Sequence, residues 1–210
     1  MTAIAVRSLD RRFESTRVLT SLDLDVETGQ HVAVTGANGS GKTTLLRILA
    51  GLLRPTAGTV TVLGSSTDDP GIRRRVGVIA HAPALYARMT AGENLRFWAG
   101  VYSDDGAAAK GAELLEALGL DPSDRRPIAA YSQGMRQRAS IARALSTSPE
   151  VLLADEPLAG LDAAGSTAVG ALLRGVTTVV AAMHASPSSL ESEPWIDATY
   201  ALRGGRLVAA

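Results

Sequence analysis

The 210-residue chain contains no cysteine. That absence excludes a disulfide framework, a thiolate metal site and thiol catalysis, and leaves a reducing compartment as the default. No apolar run approaches the roughly 18–20 residues of a membrane span. The early Arg7, Asp10, Arg11, Arg12 and Glu14 leave no apolar region of the signal-peptide kind. A membrane, if one matters, is therefore expected beside this chain. An excess of one charge is missing too: 21 basic residues balance 21 acidic ones, so no basic field argues for nucleic acid as a partner. Lysine is nearly absent, two residues against nineteen arginines, which makes the position of each lysine informative. With 46% hydrophobic residues and a mean hydropathy of +0.12, the chain is expected to be globular, one domain or one domain with an inserted lobe.

Short apolar runs bounded by turn residues dominate the first sixty positions: Ile4 to Val6, Leu22 to Val26, Val32 to Val34, and Thr59 to Val62 closed by Gly64. They predict strands. Leu22, Leu24 and Val26 alternate with acids, the pattern of a half-buried antiparallel strand. Val32 to Thr35 does not alternate, and leads through glycines into a helical spacing from Thr43 to Leu49. Val76 to Ala80, Val151 to Ala154 and Val176 to Met183 predict further buried strands. Between residues 84 and 148 the strand signals vanish, and helices are expected around Glu93 to Ala99, over Ala109 to Leu118 and over Met135 to Leu145. The reading is an α/β core over 1–83 and 149–210, an antiparallel β subdomain, and an α-helical lobe inserted at 84–148, all within one domain. Ser65 to Pro70 and Ser186 to Ser189 read as polar connections.

The sharpest chemistry is Gly36-Ala37-Asn38-Gly39-Ser40-Gly41-Lys42-Thr43, followed by Thr44, which fits G-x-x-x-x-G-K-[ST] between a predicted strand and a predicted helix. Glycines let consecutive N–H groups turn inward, the helix N-terminus adds partial positive charge, Lys42 reaches the outer phosphates, and Thr43 offers a hydroxyl to Mg²⁺. One of the two lysines thus falls where the motif needs it. Val151 to Ala154 ends in Asp155 and Glu156, about a hundred residues beyond the loop. Asp155 is the candidate Mg²⁺ ligand, and Glu156 the candidate base for the water that attacks the γ-phosphate of ATP.

Tyr131-Ser132-Gln133-Gly134-Met135 precedes a predicted helix, and here the chain resembles the ABC ATPases, whose signature is commonly Leu-Ser-Gly-Gly-Gln. Ser132 and Gly134 match, whereas Tyr131, Gln133 and Met135 depart. A serine at a helix start is also an ordinary N-cap, and the two roles are compatible. The resemblance covers nearly the whole chain and implies a P-loop NTPase core whose Ser132, Gln133 and Gly134 face a nucleotide held by the other subunit. One chain would then carry only half-sites, completed in a dimer, most simply a homodimer. The same resemblance makes Leu158 to Asp162 similar to the family's D-loop, with Asp162 at the subunit interface. It also puts His184 at the family's switch histidine and Phe13 at the aromatic that stacks on adenine. His81 stands where most of the family has a glutamine that senses Mg²⁺ and the attacking water.

What this implies is an ATP-binding and ATP-hydrolysing subunit, peripheral on the cytoplasmic face of the cell membrane, driving a separate membrane-spanning partner. Docking is expected near Ala84-Leu85-Tyr86 and Phe97-Trp98, aromatics that equally suit lobe core. Length, His81 and the stretch Met89 to Phe97 together resemble the haem-exporter ATP-binding subunits of the cytochrome c maturation system. Subunits of other exporters (drug, lipid or antibiotic) and a soluble non-transport ABC ATPase are the alternatives.

Overall fold

The computed structural model describes residues 1–184 and 193–209; the connection anticipated at Ser186 to Ser189 lies outside them. Two sheets organise the chain. The first is antiparallel, in the order β2-β1-β4-β5, with β1 at Thr2–Phe13, β2 at Thr16–Glu27, β4 at Ala57–Val62 and β5 at Ser65–Ser66. Leu22, Leu24 and Val26 are buried as their alternation requires. β1 runs well past the expected Ile4 to Val6, because Leu9 carries its apolar face onward at 0% exposure. Register shifts on either side of Leu9, with Ser8 at φ 46°, break the period-two pattern and hid the continuation. The expected polar connection after Gly64 is instead β5 followed by a 3-10 turn at Pro70–Arg74. Leu63 and Gly64, both at positive φ, form the two-residue hairpin that joins β4 to β5.

The second sheet has the order β10-β9-β3-β8-β7-β6. It comprises β3 at His31–Thr35, β6 at Val76–Ile79, β7 at Val151–Asp155, β8 at Thr178–Met183, β9 at Ala198–Arg203 and β10 at Arg206–Ala209. Strands β6, β7, β8, β3 and β9 are parallel, and β10 closes the edge as a hairpin through Gly204-Gly205. That hairpin has a signal in the sequence, a Gly-Gly pair between two short apolar runs.

Helices fill the rest: α1 at Lys42–Leu49, α2 at Ala91–Tyr102, α3 at Ala107–Ala117, α4 at Gln133–Leu145 and α5 at Ala163–Arg174. The three expected between residues 84 and 148 form, and no described residue between Ile79 and Val151 belongs to a strand. The parallel sheet divides the core in two. Val32, Val34, Val151, Leu153, Val180 and Ala182 face α1 and the antiparallel sheet. Their neighbours Ala33, Leu152, Ala154, Val179 and Ala181 face the helical side. Burial on both faces explains why these strands read as continuous apolar runs.

The stretch Met89 to Phe97 has a structural task of its own. Thr90 and Glu93 form a reciprocal capping box at the start of α2. Asn94, fully buried, accepts from the Tyr86 amide at 2.7 Å and donates to the carbonyls of Tyr86 and Thr90. Its amide thereby pins the loop leading into the helix. Trp98 donates to the Ala84 carbonyl at 3.0 Å and lies under the Arg143 guanidinium, so it belongs to lobe packing. Burial pushes that guanidinium's pKa down from its ordinary value. Tyr86 and Phe97 pack edge to face at 4.7 Å and remain exposed, at 46% and 38%. No helix among the described residues is long and apolar enough to cross a membrane.

Candidate functional site

Strand β3 ends at Thr35, and the next six residues turn back before α1 begins at Lys42. Gly41 caps that helix at φ 110°, a conformation that L side chains rarely adopt, and a Cβ there would press on Val18 and Leu19 of β2 at 3.0 Å. No side chain caps the first turn, so its N–H groups stay available. Lys42 is buried, and its ammonium donates to the Gly36 and Ala37 carbonyls at 2.7 and 3.2 Å. It thus already bends over the loop where outer phosphates would lie.

The carboxyl ends of three neighbouring parallel strands meet at this loop, the position at which open α/β sheets bind ligands. From β7, buried Asp155 accepts from the Thr43 hydroxyl at 2.7 Å. Two hard oxygen donors side by side are the donor chemistry that would suit Mg²⁺. Glu156 follows at φ 52°, its N–H donating to the Ala182 carbonyl of β8 at 2.9 Å. A non-glycine residue held in this region is strained and needs support from its surroundings. Glu156 shares with Val18 and residues 38–44 a cavity of about 240 Å³. Just beyond β8, the His184 imidazole meets the Asn38 side chain. His81, after β6, lines an adjoining pocket with Thr43 and Asp155.

The remaining candidates lie elsewhere. Ser132 caps α4, accepting from the Met135 amide at 3.2 Å. Gln133 and Gly134 pack against Gly160 in the segment after Glu156. Asp162 caps α5 through the Gly165 amide at 2.8 Å. Phe13 ends β1, exposed, with the Arg11 guanidinium 4.3 Å above its ring. None of Phe13, Ser132, Gln133, Gly134 and Asp162 lines the cavity at the glycine loop. Tyr131, at the signature's first position, is buried; burial, then the charge of Asp124, raises its phenol above the ordinary value. Two neighbours of the site escaped sequence reading, Val18 beneath Gly41 and Gln137 against Glu156. Neither has a local signal, since the carbonyls Gln137 binds lie nineteen and twenty residues away.

A glycine loop between a parallel strand and a helix, with an acid pair at the end of another strand, defines a P-loop nucleotide-binding domain. Residues 19–159 match the family model described as ABC transporter. Over 216 residues the chain is 37% identical to the Fe(3+) ions import ATP-binding protein FbpC 1 of Rhodococcus jostii, covering 98% of this chain and 61% of that protein. It is 38% identical over 187 residues to the daunorubicin resistance ATP-binding protein DrrA3 of Streptomyces coeruleorubidus, covering 85% and 59%. The chain thus spans about three fifths of these relatives' length. A dimeric ATP-binding cassette solved in a post-hydrolysis state with ADP and Pi superposes with a TM-score of 0.83 at 25% identity, over 97% of this chain and 96% of that one. The chain belongs to the ABC transporter family, as an ABC ATPase domain.

Proposed function

We propose that this domain hydrolyses ATP as one of a pair and thereby drives a membrane-spanning transporter subunit, itself peripheral at the cytoplasmic face. The observation that carries the reading is the convergence of Lys42, the Thr43–Asp155 pair, Glu156 and the His184–Asn38 contact on one glycine loop. The amides of the uncapped first turn of α1 and the Lys42 ammonium bind the phosphates. Thr43 and Asp155 would hold Mg²⁺, which when bound neutralises charge on the β- and γ-phosphates. Glu156 takes a proton from water as its oxygen attacks the γ-phosphorus and the bond to the bridging oxygen breaks. His184, and His81 from the other side, supply hydrogen bonds to the phosphate and the water.

Ser132, Gln133, Gly134 and Asp162 serve the nucleotide of the opposing copy, which is consistent with their distance from this chain's own cavity and with the dimeric relative. Phe13 offers its free face to the adenine. A groove of about 390 Å³ lined by Leu52, Ile72, Trp98, Val101 and Tyr102, near exposed Tyr86 and Phe97, supports docking of the transporter subunit at the lobe. For the cargo, His81 is the residue that favours the haem-exporter type of the cytochrome c maturation system; the iron-import and daunorubicin-resistance relatives support the alternatives.

The test is capture of tagged Glu156→Gln from native membranes in Mg-ATP, with the bound proteins identified and an absorption spectrum of the eluate. A multi-span partner is expected. A haem band with cytochrome-maturation proteins would assign the cargo, a multi-span partner without them would move the cargo elsewhere, and soluble partners alone would overturn the transport reading.

A further inference from the structure

Glu156 sits in a backbone conformation that its side chain does not favour, so something must hold it there. On one side its N–H is fixed to Ala182 of β8. On the other, its carbonyl accepts from the Ala159 amide at 3.1 Å and from the Gln137 amide nitrogen at 3.3 Å, and the same Gln137 nitrogen donates to the Pro157 carbonyl at 3.1 Å. Gln137 is buried at 9% exposure. Its two N–H groups go to the carbonyls of Glu156 and Pro157, which uses the donor capacity of a side-chain amide in full.

We infer that Gln137 is a positioning residue for Glu156, and that it ties the base of this chain's own site to the helix whose first residues serve the opposing site. The inference rests on the readings of Glu156 and Ser132 given above. Ser132 and Gln137 lie on one rigid element, five residues and roughly 7.5 Å of helix rise apart. The turn before them is wedged against the same segment: a Cβ on Gly134 would come within 3.0 Å of the Gly160 carbonyl, and Gly160 itself packs on Gln133. The stretch from Glu156 to Gly160 therefore rests on α4 at both ends. When a phosphate engages the Ser132 end, any shift of α4 is delivered through Gln137 to the Glu156 peptide. Gln137 touches no reacting atom; it keeps the carboxylate aimed.

The decisive variant is Gln137→Met in the full chain, similar in length and without donors. Steady-state turnover is expected to show kcat reduced about tenfold or more, since misplacement by about 1 Å can cost on the order of a hundredfold. KM for ATP and calorimetric Mg-ATP affinity should stay within about twofold. Gln137→His, whose Nε2–H reaches about as far, should recover part of the loss, which a purely space-filling role would not predict. Combined with Glu156→Gln, the methionine substitution should cost nothing further in residual turnover, because its effect runs through the residue already removed. An unchanged kcat in folded Gln137→Met, a rise in KM at constant kcat, or an additive loss in the double variant would each overturn the inference. Should Gln137→Met not fold, the same split of kcat against KM in Gln137→Ala decides. If Glu156→Gln alone turns over ATP like the parent, the base assignment fails, and that result is separate from any obtained with Gln137.

Discussion

Two helix N-termini in this molecule look alike in sequence and differ in physics. α1 starts after Gly39-Ser40-Gly41, and its cap is a left-handed glycine with no side chain to spend on the first turn. α4 starts at Ser132, extended at φ −64° and ψ 165°, with its hydroxyl already accepting from Met135. A glycine cap in place of Ser, Thr, Asp or Asn costs a helix about a few tenths of a kcal/mol. α1 bears that cost beside a cavity lined by residues 38–44, where an uncapped first turn and the positive end of the dipole suit an anion. α4 bears none while the chain is alone, because its serine accepts from the Met135 amide while keeping its O–H free to donate to an external phosphate. One terminus is built to be filled and the other is self-contained until a second surface arrives. The difference teaches that a binding site can be recognised by the stability it forgoes.

The contrast can be broken most severely at α1. Lys42→Ala is expected to lower Mg-ATP affinity at least about a hundredfold, since it removes the one buried ammonium at the phosphate loop. Calorimetry that finds the parent affinity would mean the uncapped terminus is not the phosphate site. Ser132→Ala should do something different. It is expected to cost about 1 kcal/mol of stability, a fall in Tm of a few degrees, while leaving nucleotide affinity of the isolated chain untouched. A matching loss of affinity would show that the two termini are not independent.

The smallest effect is expected away from both, at the exposed pair of Arg75 and Glu150, joined by two hydrogen bonds at 2.5 and 3.0 Å. Hydrogen bonding to Arg75 lowers the Glu150 carboxyl below its ordinary value. A depressed carboxylate contributes stability above its unfolded pKa and loses it as pH falls through the folded one. Arg75→Ala should therefore lower Tm slightly at neutral pH and not at all in acid, and a larger gap in acid would reverse the sign of this argument. Screening keeps such a pair weak.

Legibility followed locality. The placement of the glycine loop between β3 and α1, and of Asp155 and Glu156 at the end of β7, was readable because each is written in consecutive residues at the end of an apolar run. The helices between residues 84 and 148 were readable from apolar spacing, although their ends shifted by a few positions. β1 was cut short because a polar face and bulges mask a half-buried strand, as the Arg7 to Arg12 run does. The stretch from Thr90 to Asn94 was read for resemblance, yet its side chains close a capping box and pin a loop, so it does structural work in this fold whatever the cargo.

By itself the sequence determined the loop, the acid pair, the balance of charge and the two-sided burial of the parallel strands. Each of these is a property of short segments, set by backbone freedom, side-chain chemistry and period. Only the tertiary structure decided who meets whom. β8 lies between β3 and β7, and this order brings Thr43 to Asp155 across 112 positions, His184 to Asn38 across 146, and Gln137 beneath Glu156. No local pattern encodes that choice, because strands buried on both faces carry the same apolar code and their neighbours are selected by the packing of the whole sheet.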